Sequence, residues 1–248
     1  MKEIIIIGSG FSSLSAACYL ANKGHSVQVL EKNNSLGGRA RQFKKDGFTF
    51  DMGPSWYWMP DVFESFFADF DKIVSDYYQL DRLAPGYQVV FGKDDIFPVE
   101  DSIAKIAARF EEIEPGSGAK LERFLAKARN NYDIAVKDLV YRPGVSPLEL
   151  ITPQTIKKVG LFFTNIRKQV EQQFTNPKLR SLLQFPVLFL GAKPESTPAF
   201  YNFMNYADFG LGTWHPKGGM YQIVDAMVTL GKSLGVTYHT DHSVDEIL

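Results

Sequence analysis

Closely spaced glycines near the N-terminus, followed by an acid, have the types and spacing needed to bind a phosphate-bearing ligand. Gly8 and Gly10 come directly after a run of isoleucines, and Glu31 lies about twenty residues further on. Gly8 permits a tight turn, and Gly10 allows the backbone to approach a pyrophosphate at the positive end of a helix. A carboxylate at Glu31 can accept hydrogen bonds from a ribose 2′-hydroxyl and disfavours a 2′-phosphate. The spacing therefore predicts a dinucleotide site that excludes NADP-type ligands.

A strand, a helix and a second strand must hold these residues. The isoleucines at 4–7 predict the first strand, alanines between 16 and 21 predict a closely packed helix, and residues 27–30 predict the second strand. Ser13 replaces the third glycine of the usual fingerprint with another small residue. A glycine turn that binds no nucleotide is the alternative interpretation. The candidate binding residues in this unit are Gly8, Ser9, Gly10, Phe11, Ser12, Ser13, Glu31 and Lys32.

A second glycine motif, Gly37-Gly38-Arg39, follows the acid, and Asp51-Met52-Gly53-Pro54-Ser55 comes next. Together with the first motif, these residues resemble the FAD-binding N-terminus of the flavin amine-oxidase and phytoene desaturase superfamily. The resemblance implies that Gly38 and Arg39 contact the cofactor, where a permanently charged guanidinium suits phosphate or ribose oxygens. It also implies further cofactor contacts at Met52, Gly53, Pro54, Ser55 and Val244. An NAD-dependent dehydrogenase has no reason to carry the second motif, so the predicted cofactor is FAD.

Two further segments narrow the resemblance. Residues 201–208 and 212–220, the latter with Trp214-His215-Pro216, look like those of bacterial carotenoid desaturases and isomerases, as does the segment 110–117. This implies a phytoene desaturase-like oxidoreductase that introduces double bonds into a lipophilic polyene and passes hydride to flavin. The open alternatives are an amine or porphyrinogen oxidase, a carotenoid isomerase, or a non-catalytic binder of prenylated partners. No catalytic side chain and no metal site is predicted.

The fold class that the resemblance implies is α/β. A Rossmann-like FAD-binding domain of glutathione reductase type, residues 1–84 and 212–248, would carry an inserted α+β substrate domain at 85–211. Because members of the superfamily are considerably longer, we expect the chain to be truncated at its C-terminus and incomplete as an enzyme. The predicted last strand lies at 244–248.

Local patterns predict the elements between the motifs. Apolar periodicity predicts helices over 61–78, 103–113, 119–141 and 220–234, with Asp101 or Ser102 capping the second of them. Alternating residues around a Gly92-Lys93-Asp94 turn predict a hairpin of 87–91 with 95–99, and 235–239 predicts a strand.

The bulk composition is that of an ordinary globular protein. The 248 residues are 45% hydrophobic and 22% charged, with a net charge of −1, which gives no nucleic-acid footprint. The single cysteine, Cys18, fits a reducing compartment, and the apolar runs are too short for a signal peptide or a membrane span. A cytoplasmic protein is therefore predicted, and nothing in the sequence indicates its oligomeric state.

The stretch 151–190 is basic and apolar, with Glu171 as its only acid. One interpretation is a solvated basic face whose apolar stripe packs on the core. The other is an amphipathic surface lying on an anionic membrane. Because the resemblance implies a substrate soluble only in lipid, we expect peripheral contact with the inner face of the cell membrane. The cations are Lys157, Lys158, Arg167, Lys168, Lys178 and Arg180.

Overall fold

The computed structural model describes residues 1–247 and divides the chain into two units. The first unit comprises Met1–Tyr57, Phe63–Asp81 and the chain from Trp214 onward, and the second comprises Trp58–Val62 and Arg82–Thr213. Each unit has its own buried hydrophobic cluster. The assignment of the units to cofactor and substrate stays a prediction.

The regular elements follow in chain order. The strands are β1 (Glu3–Ile7), β2 (Ser26–Leu30), β3 (Gln42–Lys45), β4 (Phe48–Asp51), β5 (Leu80–Arg82), β6 (Tyr87–Gly92), β7 (Asp95–Val99), β8 (Trp214–Pro216) and β9 (Thr237–His239). The α-helices are α1 (Phe11–Asn22), α2 (Pro60–Ala68), α3 (Ile103–Ile113), α4 (Ser117–Lys137), α5 (Pro153–Ile156), α6 (Ile166–Glu171), α7 (Pro177–Gln184), α8 (Phe203–Asn205) and α9 (Tyr221–Ser233). Short 3₁₀-helices lie between them, and Tyr206–Gly210 forms a π-helix.

The first unit is built on a parallel sheet of order β1-β2-β9. Central β2 pairs Gln28 with Ile5 of β1 and Val29 with Tyr238 of β9. Helix α1 covers the sheet with a face of small residues, so that it packs closely, and the Cys18 thiol donates to the carbonyl of Met227 on α9. This is the predicted β1-α1-β2 unit, and the structure confirms the predicted α/β class.

The helix predicted over 61–78 is much shorter in the structure. The periodicity over 61–78 continues beyond α2, but the helix ends at Ala68 and the chain turns at Asp71, whose φ is +57°. A 3₁₀ turn at Val74–Asp76 then returns the chain to the core, where Phe67 and Tyr78 are buried in one cluster. Phe70 is buried as well, whereas Ile73 is 61% exposed. The apolar spacing over 61–78 therefore does not correspond to one continuous helical face.

The second unit packs β6, β7, α3 and α4 around buried aromatic residues. Ser102 caps α3, because its side chain accepts a hydrogen bond from the Lys105 amide. Of the two candidates predicted for this cap, Asp101 and Ser102, the structure thus selects Ser102. Glu114 ends the same helix, and its carboxylate accepts from the amides of Thr175 (2.9 Å) and Asn176 (2.8 Å). Burial opposes the ionised form, but these hydrogen bonds, together with one from the Lys120 ammonium, outweigh it and lower the pKa of Glu114 to about 2. The next helix, α4, is shorter than predicted and ends at Lys137.

The basic stretch 151–190 does not form one amphipathic helix. It is divided among α5, α6, α7 and short 3₁₀ turns. The apolar residues from Ile166 to Leu183 are buried in the core of the second unit, whereas those from Ile151 to Phe163 are largely exposed. The core-packing interpretation thus holds for 166–183, whereas Leu188, Phe189 and Leu190 at the end of the stretch are again exposed. Within residues 1–247, no helix is both long and apolar enough to cross a bilayer.

Candidate functional site

The turn between β1 and α1 presents uncapped backbone N–H groups. Gly8 has a φ of +89°, and its amide donates to the Leu30 carbonyl (2.8 Å), which fixes the turn beside β2. Gly10 is the N-cap of α1, and no side chain caps the helix there. The first intrahelical bond runs from Leu14 to Gly10, so the amides before it lack intrahelical partners. These donors and the helix dipole favour an anion.

Glu31 is buried and already fully engaged. One carboxylate oxygen accepts from the amide (3.0 Å) and hydroxyl (2.6 Å) of Ser9, and the other accepts from the amide and side chain of Asn33. Burial alone would raise the pKa of Glu31, but these hydrogen bonds outweigh it and hold the pKa below its ordinary value. A ribose hydroxyl can be accepted only in exchange for one of these donors. In this structure Glu31 holds the glycine turn, and the predicted ribose contact stays a prediction.

The second glycine motif lies directly against the first. The Gly37 amide donates to the Ser9 carbonyl (3.0 Å) and lies 3.2 Å from the Ser9 hydroxyl oxygen. Gly38 has a φ of +57°, and a Cβ on it would lie 3.0 Å from the Gly10 Cα. Only glycine permits this backbone approach without displacement. The two motifs therefore form one wall.

The segment predicted to run beneath the flavin closes on the same wall. The Met52 amide donates to the Arg41 carbonyl (2.7 Å). Gly53 has a φ of +95°, and a Cβ on it would lie 2.3 Å from the Arg39 carbonyl oxygen. Three segments that the sequence separates are thereby joined through backbone contacts.

Asp51 has a role that the sequence analysis missed. Its carboxylate accepts from the amides of Met220 (2.6 Å) and Tyr221 (3.3 Å), and so it binds the start of α9. Gly219 approaches so closely that a Cβ would lie 2.6 Å from an Asp51 carboxylate oxygen. Gly218 and Gly219 directly before the helix predicted over 220–234 are a local signal for the start of that helix. Local sequence does not indicate Asp51, which lies about 170 residues away, as the side chain that caps it.

Two clefts within the first unit collect most of the predicted site residues. One, of about 430 Å³, is lined by Gly8, Ser9, Gly10, Glu31, Lys32, Gly38, Arg39 and Val244 from the prediction. The other, of about 740 Å³, is lined by Phe11, Ser12, Ser13, Gly53 and Pro54 as well as Gly10 and Arg39. Gly10 and Arg39 line both clefts. Met52 and Ser55 line neither, although both flank residues that do.

The clefts suit an anionic dinucleotide in both charge and space. Arg41, which was not predicted, lines the first cleft, and among residues 1–247 its buried Nε atom has no hydrogen-bond partner. Arg39, Arg41 and Lys32 form no salt bridge within the described chain. A Cβ built on Gly10 meets nothing within 4 Å, so this glycine leaves the cleft open. The residues present therefore fit FAD.

The chain after β9 differs from the prediction. Residues 242–247 form no strand, so the strand predicted for 244–248 is wrong over its described part, and Leu248 lies outside the described residues. The segment is nevertheless tied to the site, since the amides of Asp241 and His242 donate to the carbonyls of Asn33 (3.0 Å) and Glu31 (2.9 Å). This brings Val244 to the first cleft.

Comparison with known proteins identifies the chain's relatives. Residues 11–248 match the family model of flavin containing amine oxidoreductases. The chain is 45% identical to the carotenoid 3,4-desaturase of Haloarcula japonica, over 99% of this chain and 50% of that protein. It is 35% identical to a 4,4′-diapophytoene desaturase of Staphylococcus haemolyticus, over 99% of this chain and 49% of that protein.

The fold also matches solved structures. A crystal structure of an oxidoreductase from Methanosarcina mazei superposes with a TM-score of 0.58 at 20% identity, covering 97% of this chain and 51% of the other. The chain thus spans about half the length of its relatives. The flavin-containing family confirms the prediction of FAD as cofactor. From the match over nearly all of its residues, the chain belongs to the flavin containing amine oxidoreductase family.

Proposed function

We propose that the protein carrying this chain is an FAD-dependent oxidoreductase that introduces double bonds into a carotenoid precursor. The main support is the 45% identity to a carotenoid 3,4-desaturase across almost the whole chain. The first unit supports the cofactor part, because its glycines, arginines and helix terminus line clefts that fit an anionic dinucleotide.

The residues of this chain bind and orient the cofactor. FAD, when bound, would supply the acceptor for the hydride that leaves one carbon of a saturated pair while the neighbouring carbon loses a proton; no side chain can accept these two electrons. Arg39 and Arg41, which line the first cleft, would supply positive charge to the phosphate oxygens of the cofactor, and the amides at the start of α1 would add hydrogen-bond donors. Glu31 holds the turn that carries these amides.

The proposed substrate is a lipophilic polyene of the phytoene type, as the relatives' names suggest. Such a hydrocarbon dissolves in bilayers rather than in water. We therefore also propose that the protein is cytoplasmic and works at the inner face of the cell membrane.

The test uses the complete gene product that carries this sequence, purified and incubated with FAD and with phytoene in lipid vesicles. We expect a yellow protein, a red-shifted polyene absorption and a product that has lost pairs of hydrogens in mass spectrometry. An isomer of unchanged mass would indicate a carotenoid isomerase, and turnover of an amine or porphyrinogen would indicate another oxidase. A folded protein that stays colourless with added FAD would indicate a non-catalytic binder and contradict the proposal.

Gly10→Val supplies the matched cofactor control. The φ of Gly10 is −69°, which valine adopts without strain. A Cβ at this position meets no protein atom within 4 Å, so the added side chain occupies space in the cleft. We expect loss of bound FAD with unchanged folding. His25→Ala should retain FAD, because the His25 ring lines neither cleft and accepts instead from the Lys2 amide.

A further inference from the structure

An apolar groove of about 200 Å³ opens on the second unit around α5. It is lined by Leu150, Ile151, Ile156, Val159, Phe162 and Phe163, together with Thr155; these six apolar residues are called the α5 patch. Ile151 and Ile156 are each 59% exposed, and Phe163 is 87% exposed. A contiguous set of large apolar side chains in water marks an interaction surface.

The local structure holds the α5 patch in place. Thr152 and Thr155 form a reciprocal capping box around α5, with Pro153 at its first position, and the Thr155 hydroxyl donates to the Leu150 carbonyl. Phe162 stacks on Phe200 with ring centroids 4.8 Å apart. The exposed apolar residues therefore belong to a fixed surface.

The charge beside the α5 patch is positive. Lys157 and Lys158 lie within its sequence, and no carboxylate occurs between Leu150 and Val170. Neither lysine forms a salt bridge in the part of the chain that the structure describes. The next cation along the chain, Arg167, is by contrast paired, because it forms salt bridges with Glu171 and Glu195.

We propose that the α5 patch docks on an anionic phospholipid bilayer, with its apolar side chains at the acyl boundary and Lys157 and Lys158 among the headgroups. Unpaired lysines favour this occupant over a protein, since lysine is depleted at protein interfaces and attracted to anionic lipid. The inference deepens the membrane part of the proposed function and rests on it. The proposed membrane contact is thereby narrowed from the whole basic stretch 151–190 to the α5 patch and its two lysines.

A site-specific probe tests which surface meets lipid. Cys18, the one cysteine among these 248 residues, is fully buried, and burial raises the pKa of its thiol to about 12, so within this sequence maleimide reacts selectively with an introduced cysteine. Phe163→Cys and the control Val90→Cys, at a position 66% exposed in the same unit, each receive a polarity-sensitive fluorophore. We expect a blue shift and quenching by lipid-borne quenchers at 163 alone, with phosphatidylcholine vesicles that contain phosphatidylserine. No shift at 163, or equal shifts at both positions, would overturn the proposal.

Vesicle co-sedimentation measures the contribution of each residue. We expect Phe163→Ser to weaken binding by roughly tenfold or more, as removal of a buried phenylalanine implies. Lys157→Gln should weaken it by about fivefold and only on anionic vesicles. Val90→Ser and Lys93→Gln should change it by less than about twofold. A blue shift at 163 that needs protein concentration instead of vesicles would indicate a second copy of the chain on the patch.

The outcomes separate this inference from the proposed function. Binding through the α5 patch without desaturation would contradict the proposed desaturase activity and leave the membrane surface intact. Desaturation of a detergent-dispersed polyene by a protein that ignores anionic vesicles would refute the surface and the membrane part of the proposed function, and would leave the desaturase activity intact.

Discussion

Gly53 and Gly38 allow three chain segments to meet where a side chain would collide. Alanine at Gly53 would place its Cβ 2.3 Å from the Arg39 carbonyl oxygen, and the φ of +95° adds backbone strain. Such strain costs about 1–3 kcal/mol, so we expect Gly53→Ala to weaken FAD affinity by roughly tenfold or more. Gly47→Ala is the control, because its φ of +81° is similar and its Cβ meets nothing within 4 Å. Equal effects of both variants in FAD titrations would show that the close approach is irrelevant to binding.

Glu31 stabilises the glycine turn through its charge. Glu31→Gln keeps the shape but turns an amide donor toward the donors of Ser9 or Asn33, so we expect a loss of about 1.5–3 kcal/mol in unfolding free energy. Because folding lowers the pKa of Glu31, its contribution is present above the ordinary carboxyl pKa and is lost as pH falls through the folded pKa. The difference between wild type and variant should therefore shrink in acid. Urea unfolding at several pH values, with the exposed Glu3→Gln as control, checks this; a constant difference would contradict it.

At the scale of elements, the π-helix Tyr206–Gly210 carries a buried acid. Tyr87 donates to Asp208 at 2.6 Å, and the other carboxylate oxygen has no partner among residues 1–247. Burial raises the pKa of Asp208 from 3.8 to about 8, although the Tyr87 hydrogen bond opposes this. The folded chain thus keeps a proton that the unfolded chain releases.

The expected consequence is a loss of stability as pH rises. The contribution of Asp208 is fully present below its ordinary pKa of 3.8 and lost as pH rises through about 8. The slope reaches at most about 1.4 kcal/mol per pH unit. Asp208→Asn is neutral at every pH and still accepts from Tyr87, so its denaturation midpoints should depend less on pH in this range. Asp94→Asn, in an exposed turn, should keep the wild-type slope; an unchanged slope in Asp208→Asn would refute the prediction.

Local residue patterns predicted the elements that carry the site. Contacts between residues far apart in the sequence could not be predicted in this way. The β1-α1-β2 unit, the β6–β7 hairpin and the Ser102 cap follow from local residue types. The contact of Gly53 with Arg39 and the capping of α9 by Asp51 depend on backbone proximity that no local pattern encodes. Apolar spacing over 61–78 likewise predicted the burial of Phe67 and Phe70, but not the exposure of Ile73 or the turn at Asp71.

At the scale of the molecule, each unit is held by its own buried cluster. Leu14, Phe67 and Met227 belong to the cluster of the first unit, and Phe110 and Phe124 belong to that of the second. The predicted cofactor residues that line the clefts belong to the first unit. Binding of FAD should therefore stabilise the first unit directly. A reporter inside this unit would measure how strongly FAD binding is coupled to its folding.

Cys18 is that reporter. It lies fully buried on α1, next to α9, and burial raises the pKa of its thiol to about 12, so a thiol reagent reacts only after the first unit opens. If FAD binds the folded unit and not the open one, FAD at a hundred times its Kd should slow labelling by about 100-fold. Gly10→Val should label at the wild-type rate without FAD and gain no protection from it. Rapid labelling of the folded protein, or labelling in wild type that FAD does not slow, would contradict the coupling of cofactor binding to the folding of this unit.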